Sequence, residues 1–225
     1  DTELRKLRGK EITTVFQDPM SSLNPVKTIG QQIAEVLILH MGLSPKQAWE
    51  QTKAVLDEVG IPDPANRINA YPHELSGGQQ QRVMIAIAIA CQPRLLIADE
   101  PTTALDVTVQ RQIIELLVRL QEKHKMSMMF ISHDLAVVRH VSHRVLVLYL
   151  GKVMELADGQ TLLTKPRHPY TQALLDNVPK LEARKRVFSS IRGEIPSPLN
   201  PPPACPGVRG WGAGGTGGGR RAGRG

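Results

Sequence analysis

Three short apolar runs recur along the first 132 residues, and helical patterns separate them. They are EITTVF (11–16), RLLIADE (94–100) and MSMMFIS (126–132). The first alternates and is β-branched, as strands are, while the other two are continuous apolar runs of the kind that form buried parallel strands. Strands that alternate with helices predict an α/β fold built on a parallel sheet.

The segments around these strands predict helices with defined ends. Ser44 suits an N-cap, Pro45 the first helical position and Gly60 a C-terminal stop. Ser76 caps a long apolar helix that runs to Cys91. Further helices are predicted at 28–41, 107–124 and 134–142 and from Asp158 and Pro169, and a two-stranded hairpin at 144–156. Loops are predicted at 17–25 and at 61–75, the second with at most a short turn of helix.

Composition narrows the classes of protein that the chain can belong to. No apolar run reaches the roughly 18 residues that a membrane span needs, and two cysteines form no disulfide framework, which favours a reducing compartment. The net charge is +7, but four arginines lie in residues 205–225 without any acid, so the remainder carries +3. A mildly basic body is a weak argument for a nucleic-acid partner.

Two acidic residues end the run LLIADE. A carboxylate beside Mg²⁺ and a second one that orients or deprotonates water are what nucleotide hydrolysis requires. Asp99 suits the first role and Glu100 the second. A strand followed by a solvated acidic turn is the structural alternative.

The stretch SGGQQQR begins at Ser76, where a helix is predicted to start. Its hydroxyl, the close backbone approach that Gly77 and Gly78 permit, and the helix dipole all suit an anion. The alternative is a capped helix after a flexible turn, and Ser-Gly-Gly alone favours that simpler interpretation.

The motifs taken together carry a family resemblance. LSGGQ (75–79), LLIADEP (95–101), ALD (104–106) and ISHD (131–134), with a glutamine after the first strand, resemble the ABC ATPases in order and spacing from about residue 11 to 155. The resemblance implies a P-loop NTPase-type α/β domain with a helical signature subdomain at about 28–90. It also implies ATP and Mg²⁺ as cofactors.

The resemblance assigns a role to each matching residue. Catalytic roles fall on the Q-loop glutamine, the general base and the switch histidine, which are Gln17, Glu100 and His133. The Walker B aspartate and the Q-loop glutamine are expected near Mg²⁺ bound with ATP, and these are Asp99 and Gln17. Nucleotide contacts are expected from Ser76, Gly77, Gly78, Gln79, Asp99 and Asp106, the last being the D-loop aspartate that faces the opposite subunit. A capping or surface role is the alternative for His133.

One family motif does not occur in the sequence. The Walker A pattern G-x-x-x-x-G-K-S/T is absent from the 225 residues, and sixteen residues precede Gln17. We expect a chain truncated before Gln17, because the family places Walker A further upstream. Its lysine and backbone amides hold the β- and γ-phosphates. The chain alone is therefore expected to show negligible ATPase activity, while Ser76 and its glycines reach the γ-phosphate of ATP bound to a neighbouring subunit.

Two segments place the chain in one branch of the family. QDPMSSLNP (17–25) and KPRHPYTQALLDNVP (165–179) resemble the ATPases of dipeptide, oligopeptide and nickel importers. Some members bind an iron–sulfur cluster through further cysteines, but Cys205 stands alone here, so no cluster is expected. The tail has 10 glycines in 21 residues and is expected to be disordered.

The predicted organisation is an incomplete ATPase domain at 1–157, a peptide-importer extension at 158–204 and a Gly/Arg-rich tail at 205–225. The resemblance implies permease subunits and a second ATPase subunit, identical or related, as partners, with a solute-binding protein acting indirectly and no specific nucleic acid. It implies a peripheral position on the cytoplasmic face of the membrane. The alternatives are a soluble ABC-type ATPase acting on DNA or ribosomes and an inactive fragment that acts as a binding partner.

Overall fold

The computed structural model describes residues 7–103 and 105–176, which divide into two compact units. The first unit extends to His133 and the second begins at Asp134. Cys205 and the predicted tail lie outside the described residues, as does the extension beyond residue 176. The predicted domain boundary at 158 stays a prediction.

The first unit contains a parallel sheet of three strands. They are β1 (Ile12–Val15), β2 (Leu95–Asp99) and β3 (Ser127–Ile131), in the order β1-β2-β3. Both pairings are parallel, and Asp99 is level with Ile131. The three strands and the parallel sheet that the sequence predicts are confirmed.

The described residues of the first unit also form six α-helices, and most of their starts follow sequence signals. Three share the capping box, in which a Ser or Thr side chain accepts from the third helical amide and a glutamine side chain accepts from the cap's own amide. The helices are α1 (Pro19–Ser22), α2 (Ile29–Met41), α3 (Pro45–Glu58), α4 (Pro64–Arg67), α5 (Gly77–Ile89) and α6 (Val107–His124), with a 3₁₀ turn at Pro72–Glu74.

The prediction of a loop at 17–25 is wrong for residues 19–22, because α1 lies there. Asp18 caps this helix by accepting from the amide of Met20 at 2.9 Å, and Pro19 occupies its first turn. Four residues are too few to show a helical period, so the cap and the proline are the signals that reveal it.

The core of the first unit joins α5 to one face of the sheet. Ile85 of α5, Leu96 of β2 and Leu117 of α6 are fully buried in one cluster that also takes in α2 and α3. Alternate residues of β2 are only half-buried, and Met129 of β3 is 49% exposed. Among the described residues the strands therefore bury one face more deeply than the other, unlike the continuously buried strands that the apolar runs predict.

The second unit is a hairpin packed on short helices. Its elements are α7 (Leu135–Val141), β4 (Arg144–Tyr149), β5 (Lys152–Asp158), α8 (Gly159–Thr164) and α9 (Pro169–Asp176). The strands pair antiparallel, which confirms the predicted hairpin and the two helices after it. Glu155 ties the hairpin to the His-Pro-Tyr segment, since its carboxylate accepts from the backbone amides of Arg167 and His168 at 2.8 and 3.1 Å.

Candidate functional site

Four of the residues predicted to act in hydrolysis lie at or beyond strand ends. Gln17 comes two residues after β1, Asp99 ends β2, Glu100 follows it, and His133 comes two residues after β3. Because the strands are parallel, their carboxyl ends meet at one edge of the sheet, where α/β proteins place their ligands. The topology thus brings residues that are far apart in sequence to one edge of the sheet.

Glu100 has an unusual backbone. Its φ of 45° lies in the left-handed region, which a side chain with a Cβ adopts at an energetic cost. Its amide donates to the carbonyl of Ile131 at 3.0 Å and so ties the end of β2 to the end of β3. Four other described non-glycine residues, all outside the candidate site, also have a positive φ, so the conformation fixes the local geometry here without marking a functional position by itself.

Both oxygens of the Glu100 carboxylate have partners. Nδ1 of His133 lies 2.9 Å from Oε1, and the hydroxyl of Thr103 donates to Oε2 at 2.9 Å. The bonds to His133 and Thr103 hold the pKa of Glu100 below the usual carboxyl value. The group is therefore a carboxylate at neutral pH, as a residue that accepts a proton from water must be.

The His133 side chain is 71% exposed and Glu100 26% exposed, so the pair faces outward. A neutral imidazole that donates from Nδ1 to Glu100 offers Nε2 as an acceptor, whereas the protonated ring donates from both nitrogens. His133 can thus hold Glu100 and donate to an oxyanion at the same time only as an imidazolium.

The predicted signature segment forms the start of α5. Ser76 is its N-cap, accepting from the amide of Gln79 at 3.4 Å, and the Gln79 side chain accepts from the amide of Ser76 at 3.1 Å. The first-turn amides of Gly77 and Gly78 have no acceptor within the helix, as at any helix start. The same capping box occurs at Thr28 and Ser44, so capping alone accounts for Ser76 and Gln79 within one chain.

The turn before α5 is held by a residue that the sequence analysis did not single out. Gln80 is 4% exposed, and its amide nitrogen donates to the carbonyls of Pro72 and Leu75 at 2.8 and 3.2 Å. These bonds fix the segment that leads into Ser76. The burial of Gln80, near a polar helix start, could be anticipated only from the side of the helix on which it lies.

The predicted D-loop aspartate, Asp106, is the exposed N-cap of α6. Its carboxylate accepts from the amides of Thr108 and Val109 at 3.1 and 3.0 Å. The starts of α5 and α6 are close neighbours, since a Cβ on Gly78 would lie 2.7 Å from Cγ1 of Val109.

A cleft of about 400 Å³ lies between residues 17–20, which we call the Q-loop segment, and the signature segment at the start of α5. Gln17 and Gly77 lie on its wall, and the remaining lining residues are Asp18, Pro19, Met20, His73, Leu75, Gln80, Gln81, Pro101 and Leu105. The structure therefore brings together two motifs that are 60 residues apart in sequence.

The residues at the strand ends have the donor chemistry that Mg²⁺ prefers, which is oxygen. Asp99 offers a carboxylate, and Gln17, beyond the neighbouring strand, offers an amide oxygen. Within the described residues no group of three or more His, Cys, Asp or Glu residues could hold a metal by itself.

The fold and these motifs define an ATP-binding cassette. The profile of the ABC transporter family matches residues 1–103. The ATP-binding cassette MJ0796, solved as a dimer in a post-hydrolysis state bound to ADP and Pi, is 32% identical with a TM-score of 0.61, covering 70% of this chain and 67% of that one. The chain belongs to the ABC transporter family, which confirms the predicted resemblance and fold class.

The particular relatives are ATP-binding proteins of peptide transport. A profile described as the C-terminal region of oligopeptide/dipeptide transporters matches residues 154–206. The dipeptide transport ATP-binding protein DppD of Escherichia coli K12 is 50% identical over 205 residues, 91% of this chain and 63% of DppD. The oligopeptide transport ATP-binding protein AppD of Bacillus subtilis 168 is 48% identical over 200 residues, 89% of this chain and 61% of AppD. The chain thus spans about three fifths of the length of these relatives.

None of the helices in the described residues is both long and apolar enough to cross a membrane.

Proposed function

We propose that this chain belongs to an ATP-hydrolysing subunit that powers the import of dipeptides or oligopeptides across the cytoplasmic membrane. The observation that carries the proposal is the Glu100–His133 pair, held at 2.9 Å beyond the ends of two parallel strands and directly after Asp99. The match of residues 154–206 to the oligopeptide/dipeptide C-terminal region supports peptides as the solute class.

In this proposal the roles divide between the strand ends. Glu100 accepts the proton of the attacking water, and its lowered pKa keeps it ionised for that task. His133 holds the carboxylate and stabilises charge that develops on the γ-phosphate. Asp99 and the amide oxygen of Gln17 are the residues that would hold Mg²⁺, and the ion would supply neutralisation of phosphate charge.

The signature segment acts on a neighbouring subunit. Ser76, Gly77, Gly78 and Gln79 present a helix N-terminus, where backbone amides and the helix dipole favour an anion. A second ATPase subunit, identical or related, supplies the phosphate-binding loop opposite this helix start, and Asp106 faces that same neighbour. Gln80 keeps the start of α5 in position, because its side chain binds the turn that precedes Ser76.

The subunit lies at the cytoplasmic face of the membrane through contact with a permease. The helical subdomain at about 28–90, with the Q-loop segment beside it, provides the contact surface. The solute-binding protein outside the membrane acts through the permease and not on this chain.

Affinity purification of the full-length gene product from detergent-solubilised membranes tests the assembly. We expect a multi-span permease in the purified complex, and labelled dipeptide uptake that a Glu100→Gln variant abolishes while complex formation persists. Recovery of DNA or ribosomes instead of a permease would favour the soluble ABC-type ATPases. A permease complex that takes up peptide normally with Glu100→Gln would remove Glu100 from the mechanism.

A Ser76→Arg variant tests the role across the subunit interface. The larger, charged side chain fills the space that a phosphate needs at the start of α5. In a dimer of this chain with a second ATPase subunit, ATP hydrolysis should therefore fall at the site on that second subunit. Ser44→Arg places the same change on the other serine capping box, at α3, and serves as the control. Equal hydrolysis in the two variants would contradict the role of Ser76.

A further inference from the structure

Thr103 binds Glu100 twice. Its hydroxyl donates to Oε2 of the Glu100 carboxylate at 2.9 Å, and its backbone amide donates to the Glu100 carbonyl at 3.3 Å. The second bond closes a four-residue turn from Glu100 to Thr103. The turn therefore places the Thr103 hydroxyl next to the Glu100 carboxylate.

The two partners of the carboxylate come from different parts of the chain. The His133 side chain is 71% exposed and follows β3, 33 residues after Glu100. Thr103 has a short side chain with one heavy-atom torsion and belongs to the same turn as Glu100. With His133 on Oε1 and Thr103 on Oε2, both the position and the plane of the carboxylate are defined.

These bonds leave the carboxylate able to act. Each carboxylate oxygen accepts at two lone-pair positions, so one bond to each oxygen leaves capacity for water. The left-handed φ of Glu100 directs the side chain away from the path it would take in a continuing strand. Orientation of a catalytic group is worth much of its effect, since small misplacements slow a reaction strongly.

We infer that Thr103 is a positioning residue for hydrolysis, whose hydroxyl holds the Glu100 carboxylate towards the attacking water. The inference rests on the proposed role of Glu100 as the residue that accepts the proton of this water. Thr103 itself touches neither water nor phosphate in this scheme, and it acts through the orientation of Glu100.

The test compares Thr103→Val with Thr103→Ser in the full-length gene product assembled with its permease. Valine keeps the shape and removes the hydroxyl, whereas serine keeps the hydroxyl. For Thr103→Val we expect kcat for ATP to fall about tenfold, the factor that one hydrogen bond to a charged group supplies, with KM within about twofold of wild type. Thr103→Ser should return kcat to within about twofold.

Glu100→Gln, measured alongside, separates this inference from the proposed function. Turnover that survives Glu100→Gln would overturn both. An inactive Glu100→Gln with a normal Thr103→Val would overturn the role of Thr103 alone. A Thr103→Ser variant with a kcat as low as that of Thr103→Val would also overturn the role of Thr103. So would a Thr103→Val variant in which KM rises and kcat is unchanged. Thr103 is exposed, so all these variants should unfold at the wild-type temperature, which thermal denaturation checks.

Discussion

Gly77 and Gly78 occupy adjacent positions at the start of α5 but have different surroundings. A Cβ on Gly78 would lie 2.7 Å from Cγ1 of Val109, a stiff β-branched side chain at the start of α6. A Cβ on Gly77 would meet its nearest neighbour, Leu105, at 3.8 Å, an ordinary contact. Space alone therefore requires glycine at 78 and not at 77, so a requirement for glycine at 77 would have to come from a ligand.

Alanine substitutions separate the packing requirement for glycine at 78 from any ligand requirement for glycine at 77. Gly78→Ala should lower the free energy of unfolding by about 1–3 kcal/mol through overpacking against Val109. Gly77→Ala should change it by no more than about 0.5 kcal/mol. Urea denaturation followed by circular dichroism measures both values. Equal stabilities of the two variants would contradict the close packing of α5 on α6.

Beyond single residues, the last turn of α3 is held by cations from two other helices. Glu58 lies 2.8 Å from Nζ of Lys123 and 2.7 Å from Nε2 of His124, both in the last turn of α6. Arg82 of α5 donates to the carbonyl of Val59 at 2.6 Å, just beyond the end of α3. Positive groups at a helix C-terminus also complement its dipole, so these contacts join the helical subdomain to α5 and α6.

Glu58→Gln should weaken this junction in a pH-dependent way. Burial raises the pKa of Glu58, but the bonds from Lys123 and His124 outweigh it and leave the pKa below the usual carboxyl value. A lowered folded-state pKa gives stability that is present above the unfolded-state pKa, about 4.3, and is lost as pH falls through the folded-state value. We expect a loss of about 1 kcal/mol at pH 7 that shrinks as the pH falls through the folded-state pKa.

Urea denaturation at pH 7 and at pH 3.5 measures this effect. Glu50→Gln is the matched control, because Glu50 pairs with Lys53 within α3 and its side chain is 65% exposed. That variant should change the free energy of unfolding by less than about 0.5 kcal/mol at either pH. A pH-independent loss for Glu58→Gln would show that its packing, and not its charge, joins the helices.

The elements themselves could largely be predicted from the sequence, because their signals are local. Ser44 and Ser76 mark helix starts through the spacing of a serine and a glutamine three residues later, and α6 coincides with its predicted range. The strand ends likewise predict that Asp99, Glu100 and His133 lie at one edge. The bond from Thr103 to Glu100 could not be predicted, because it depends on the left-handed φ of Glu100, which no local pattern in the sequence specifies.

For the whole molecule, the question is which phosphate-binding groups the chain contains. The described residues present the helix start at Ser76 and the Glu100–His133 pair. The 225-residue sequence contains no G-x-x-x-x-G-K-S/T pattern, whose lysine and backbone amides hold β- and γ-phosphates in P-loop ATPases. The sequence therefore contains the residues that we propose to orient water and to complete a neighbour's site, but not the phosphate-binding loop pattern of P-loop ATPases.

The 225-residue chain alone should therefore hydrolyse MgATP no faster than its own Glu100→Gln variant. Positioning a water molecule accelerates hydrolysis only if the γ-phosphate is held in line with it, and a carboxylate without a bound phosphate has nothing to act on. A steady-state phosphate-release assay on both purified chains measures this. The Glu100→Gln chain sets the background from contaminating ATPases, since it differs by one side-chain atom. Wild-type turnover clearly above that background would mean that other residues of this chain hold the phosphates, and would contradict the assignment of Ser76 to a neighbour's site alone.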